Sequence, residues 1–194
     1  MKGVNRLARP TSQRMQRSLL KDLKVLERML PKNWHLIDEN NALHPDLYRG
    51  KWIPKTRNTL FIPVYFINGT PEEDPLRMGE SHGPMRFDDG FAVKELFIYP
   101  HKKEHSEMRH TMIGTIIHEL AHIAVDRLLA WRLRKTQPLI NSAADFGENQ
   151  HGATFQRALK VFIERMASVY GDELGRVIEE MSEDLSYFEF VSDE

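Results

Sequence analysis

Apolar positions recur through residues 12–30 at three- and four-residue steps (Met15, Leu19, Leu20, Leu23, Leu26, Leu30), which predicts an amphipathic helix stopped by Pro31. Residues 33–46 are mixed, with His44-Pro45 reading as a turn. The pattern changes at 60–67, Leu-Phe-Ile-Pro-Val-Tyr-Phe-Ile, an apolar run of strand length. Pro63 cannot donate to a ladder and so predicts an edge or bulged position there. Residues 68–90 hold four Gly and three Pro among many charges, which predicts a long surface loop of the kind that can border a cleft. A second strand is expected over 93–99. After Pro100 a long helix is expected over 106–134 and a loop over 136–152, with Pro138, Asn141 and Gly147. Two further helices are expected over 153–169 and 172–185. The fold class this implies is α+β, a small antiparallel or mixed sheet packed on the long helix with other helices around it.

The long helix contains His-Glu-Leu-Ala-His at 118–122. Residues four apart share one helix face, so His118 and His122 can aim imidazole nitrogens at one metal ion. Glu119, roughly 100° further round, can hold a water against that ion and take its proton. Ile116, Ile117, Leu120, Ala121, Ile123 and Ala124 place these three polar groups in a helix that is otherwise built for burial. The plain structural reading is a core helix whose polar side chains satisfy one another.

Hydrolytic zinc usually has three protein ligands and one open position. The chain has no Cys, so the third ligand must be His, Asp or Glu. His151, in Gln-His-Gly-Ala-Thr-Phe-Gln, is the first choice. Gly152 lets the backbone approach or turn, and Ala153, Phe155, Ala158, Leu159, Phe162, Ile163 and Met166 then follow at helical spacing. Glu148 is an alternative, giving a two-His-one-Glu site, and Asp145 is another. Asp126 lies on the face of His118 and His122, but about 5.4 Å further along, which suits orienting a ligand better than binding the ion. Tyr99, at a strand end, is a candidate oxyanion donor. His101, His105 and His110 cluster just before the motif, as cleft residues or as ordinary surface histidines.

His-Glu-Leu-Ala-His followed by a later His-Gly-x-x-Phe resembles the SprT-like metallopeptidases. That family includes the Spartan proteases, which cleave proteins cross-linked to DNA. The resemblance covers roughly residues 20–170, and its specific part is the two histidine motifs. It implies a minimal zincin-like fold and one zinc ion held by His118, His122 and His151, with Glu119 as catalytic base. Lys-Glu-Leu-Phe-Ile-Tyr-Pro at 94–100 looks like the strand preceding the active-site helix, and 93–99 is expected to pair with extended substrate. There are departures. Twenty-eight residues (123–150) separate His122 from His151, more than is usual, which implies an insertion. A four-cysteine zinc ribbon is excluded by composition, and the partner-binding tails of the eukaryotic proteases are not visible.

Length and composition fit one soluble enzyme domain: 194 residues, 41% apolar and 28% charged. The expected division is a basic start at 1–11, a metallopeptidase domain at 12–185 and an acidic tail at 186–194. Net charge is −1, but residues 1–28 carry eight basic side chains and residues 172–194 carry nine acidic ones. The basic start is a candidate DNA contact, or the solvated face of a helix. The acidic end suits solubility or folding over the basic start, and 187–191 alternates as a short docking segment would. No run is apolar enough to span a membrane, and the start lacks a secretory core, so a cytoplasmic protein of a bacterium or a virus-infected cell is expected. The functional expectation is a zinc metallopeptidase acting on protein or peptide, including protein on DNA. A zinc amidase or other non-peptide hydrolase is the alternative, as is a non-enzymatic binding or virion protein that keeps the fold.

Overall fold

Strand β2 (Thr59–Phe66) organises the sheet, because its alternate residues Leu60, Ile62, Val64 and Phe66 are all buried on one face. A computed structural model describes residues 13–38, 59–66, 79–82, 85–86, 91–99, 105–133, 139–140 and 151–171. The basic start, the turn at His44-Pro45, His101, Asp145, Glu148, the helix expected over 172–185 and the acidic tail lie outside them.

Within these residues the chain is α+β, with a mixed five-stranded sheet and three helices. Helix α1 (Gln13–Met29) buries Leu23, Leu26 and Met29, as its periodicity predicts. Strand β1 (Trp34–Asp38) follows and pairs in parallel with β2, Trp34 opposite Leu60. Glu27 of α1 ties to β1 through His35 Nδ1 at 3.1 Å. Strand β3 (Gly79–His82) comes next, then β4 (Met85–Arg86), β5 (Phe91–Val93) and β6 (Glu95–Ile98). Helix α2 (His105–Leu133), β7 (Leu139–Ile140) and α3 (Ala153–Tyr170) complete the order.

The strands run β1-β2-β6-β3, with β5 also on β2. All neighbours are parallel except β3, which pairs antiparallel with β6. Four sequence expectations need correction. Pro63 lies in an inner strand, between β1 and β5–β6, and not at an edge. The reason is visible in the ladder: Phe61 O accepts from Lys94 N at 3.1 Å, and the next position of the same orientation is Pro63, which has no N–H. The ladder breaks at Lys94, where β5 gives way to β6. Second, the loop expected over 68–90 contains β3 and β4. Third, the 93–99 strand is not the edge: β3 covers β6 and ends the sheet among the described residues. The loop over 136–152 likewise contains β7, which pairs with β4.

Helix α2 is not amphipathic in the usual sense. Ile113, Ile116, Ile117, Leu120, Ala121 and Ile123 bury more than one stripe, because the helix is packed against the sheet on one side and α3 on another. Leu159, Phe162 and Met166 of α3 join Trp34 and the α1 leucines in the same core. The helix is held down by one buried ion pair, Lys94 Nζ donating to Asp126 Oδ2. None of the described helices is long and apolar enough to cross a membrane.

Candidate metal centre

His118 and His122 project from consecutive turns of α2, and their Nε2 atoms are 3.0 Å apart. His151 stands immediately before Gly152, the extended N-cap residue of α3 (φ −72°, ψ −177°). Its Nε2 comes within 3.3 Å of His118 Nε2. The ligand atoms of all three lie within 4.8 Å of one another, and no other such group of His, Asp or Glu occurs among the described residues. Tetrahedral zinc with bonds of about 2.0–2.1 Å sets neighbouring ligand nitrogens about 3.3 Å apart. The separations of 3.0 and 3.3 Å are close to that edge length. A neutral imidazole has one N–H and one lone pair. Three Nε2 atoms aimed at one point therefore satisfy each other poorly, whereas a shared cation satisfies all of them. The donor set fits zinc.

Phe155 lies under the whole triad. Its ring centroid is 5.1 Å from that of His118, 4.4 Å from His122 and 4.9 Å from His151, and the side chain is 1% exposed. It stands four residues after His151, so the first turn of α3 brings His151 and Phe155 to the same side. Gln156 N donates to Gly152 O at 3.0 Å, closing that turn. Because α3 packs along α2, the ring that seals the core between the helices also limits the swing of the imidazoles.

Glu119 is 8% exposed. Burial pushes its carboxyl above the ordinary 4.5, the adjacent His118 pulls it down, and a hydrogen bond from the Ser81 hydroxyl also lowers it. The negative charge of Glu80 raises it, and the Ser81 backbone N–H lowers it again. Burial prevails. Both Ser81 donors come from β3, so the edge strand is what holds the carboxylate. The strand can come this close because residue 79 is glycine: a Cβ there would sit 2.4 Å from Thr115 Cγ2 on α2.

His118, Glu119, His122 and His151 are thus brought together as the sequence suggests. The other candidates fare differently. Asp126 is committed to Lys94. Tyr99 donates its hydroxyl to Glu80 Oε1, which ties the end of the 91–99 segment to β3 beside Glu119. His105 and His110 fall on the first turns of α2, with side chains outside the described residues, and Glu148 and Asp145 are outside altogether. Sequence reasoning missed Ser81 and Glu80, because Gly-Glu-Ser-His has no apolar alternation to mark a strand. It also missed the Lys94–Asp126 pair. A signal existed there: one Lys inside Phe-Ala-Val-Lys-Glu-Leu-Phe-Ile-Tyr and one Asp inside an apolar helix both need a partner.

The chain matches no protein-family model, no curated protein and no solved structure.

Proposed function

We propose that the chain is a zinc-dependent metallopeptidase of the SprT-like kind, with a zincin-like catalytic domain. The observation that carries this reading is the convergence of three imidazole Nε2 atoms beside a buried carboxylate. His118, His122 and His151 would hold the ion and leave one position open. Zinc held there would supply Lewis acidity, polarising a carbonyl and making water more acidic. Glu119 is placed to accept a proton from an attacking water at its carboxylate and to return it to the leaving amine. Ser81 keeps the carboxylate aimed, and Phe155 keeps the imidazoles in place. The side of β3 that pairs with no strand among the described residues, rather than the 93–99 strand, is the edge on which an extended peptide would add as a further strand. Protein carried on DNA is the substrate that the resemblance suggests, with the basic start as its DNA contact.

Metal content of the purified chain, measured beside that of His151→Ala, is the direct test. About one zinc per chain, largely lost in the variant, supports the three-histidine centre. A protein digest and a panel of small amides then identify the reaction. Zinc binding with no turnover of unfolded protein, peptide or DNA-bound protein would overturn the peptidase reading, and turnover of small amides alone would replace it by an amidase. Binding to duplex DNA that weakens steeply with salt is expected if the basic start makes phosphate contacts.

A further inference from the structure

Pro31, Trp34, Leu128 and Val161 line a groove of about 370 Å³ between α2, α3 and the stretch that joins α1 to β1. Leu128 is 39% exposed and Val161 43%, two of the three large apolar side chains most open to solvent among the described residues. Arg157 and Arg165 also line it, and both are exposed. Paired apolar surface with a cationic margin calls for an amphipathic, acidic occupant.

Such a segment follows α3 directly. Leu174, Val177, Ile178, Met181 and Leu185 recur at helical spacing, and six acidic residues (Asp172, Glu173, Glu179, Glu180, Glu183, Asp184) occupy other positions, against Arg176 as the one base. The groove positions on α3 are Thr154, Arg157, Ala158, Val161, Phe162 and Arg165, one face of a helix. Leu174, Val177, Ile178, Met181 and Leu185 would likewise share one face of a helix. At ~1.5 Å per residue each stripe is about 17 Å long. Gly171, with φ 51° and ψ −122°, ends α3 in a backbone conformation that favours glycine. We infer that residues 172–185 form an amphipathic helix that folds back antiparallel along α3 and fills this groove. Its apolar stripe covers Leu128 and Val161, and its acidic residues meet Arg157 and Arg165. The basic start is the wrong sign for the same place.

The chain has no cysteine, so single cysteines report local cover. Val161→Cys and Trp131→Cys are placed separately in the full-length protein, the second as a standard, because Trp131 is 51% exposed and lies off the groove. The expected result is maleimide labelling of Val161→Cys at least about tenfold slower than of Trp131→Cys, as for a site opened only by local unfolding. Adding Ile178→Asp and Met181→Asp should bring the Val161→Cys rate up to the standard without loss of bound zinc. Equal rates in the unperturbed chain overturn the inference. Slow labelling that persists with both aspartates, or that appears only as protein concentration rises, also overturns it, the latter in favour of a second copy.

Discussion

Glu119 is under two opposed influences, and each gives a measurable consequence. Burial holds its carboxyl above 4.5, so in the metal-free protein there is a pH window in which the folded chain keeps a proton that the unfolded chain has released. The contribution of this carboxyl to the stability of the metal-free form is therefore full below 4.5 and is lost as pH rises through that window. Glu119→Gln cannot ionise and should flatten this dependence, which denaturation in chelator from mildly acid to neutral pH will show. The same substitution should retain zinc yet lower turnover by about 10²–10⁴-fold, the usual worth of a positioned base. Ser81 works the other way. Its hydroxyl stabilises the charged form, so Ser81→Ala should raise the carboxyl further and move the acid limb of the kcat/KM profile to higher pH. At this scale the sequence was legible where contacts are local: four residues between His118 and His122 dictate one helix face. Ser81 was not legible, because its partner Glu119 is 38 positions away and nothing in Gly-Glu-Ser-His marks the pairing.

Secondary-structure elements meet at two tight points. Where β3 crosses α2, the Cβ of Gly79→Ala would lie 2.4 Å from a β-branched methyl that has little freedom to move. Overpacking of this kind costs about 1–3 kcal/mol, and the displaced strand should carry Ser81 away from Glu119. Reduced stability and a lower kcat with zinc still bound would together report that displacement. The second point is the Lys94–Asp126 pair, 2% and 5% exposed. Removing one partner leaves a buried charge, so Lys94→Met should destabilise by about 3–5 kcal/mol, whereas Lys94→Met with Asp126→Leu should recover most of the loss. Urea denaturation of the two variants makes the comparison. Helix α1 followed from apolar spacing with a stop at Pro31, strand β2 from its apolar run, and α2 from its place after Pro100. Strand β1 did not, since five residues with Leu36 and Ile37 adjacent show no clean alternation. The edge assignment failed for a related reason: strand order is fixed by pairing between distant segments, and a proline's missing N–H can be hidden at a break in the ladder.

Across the whole molecule, one core runs from the α1 leucines through the sheet and α2 to Phe155, Leu159, Phe162 and Met166. The histidine cluster sits where that core reaches α3, and its third histidine, His151, comes from the far side of a 28-residue excursion. The α+β class was legible from the order of patterns, but the arrival of His151 beside His118 depends on how α3 docks, which no local spacing encodes. An ion bound by all three imidazoles would pin the start of α3 to the middle of α2 and close that excursion as a covalent staple would. Unfolding should then depend on free zinc, with a gain of about 2.7 kcal/mol when zinc stands a hundredfold above its dissociation constant. A melting temperature that climbs with added zinc in the wild type, and stays level in His151→Ala, is the expected result. In a cell the consequence reaches beyond chemistry. Chains starved of metal would open more often at α3 and be cleared sooner by housekeeping proteolysis, so the amount of this protein would itself follow the supply of zinc.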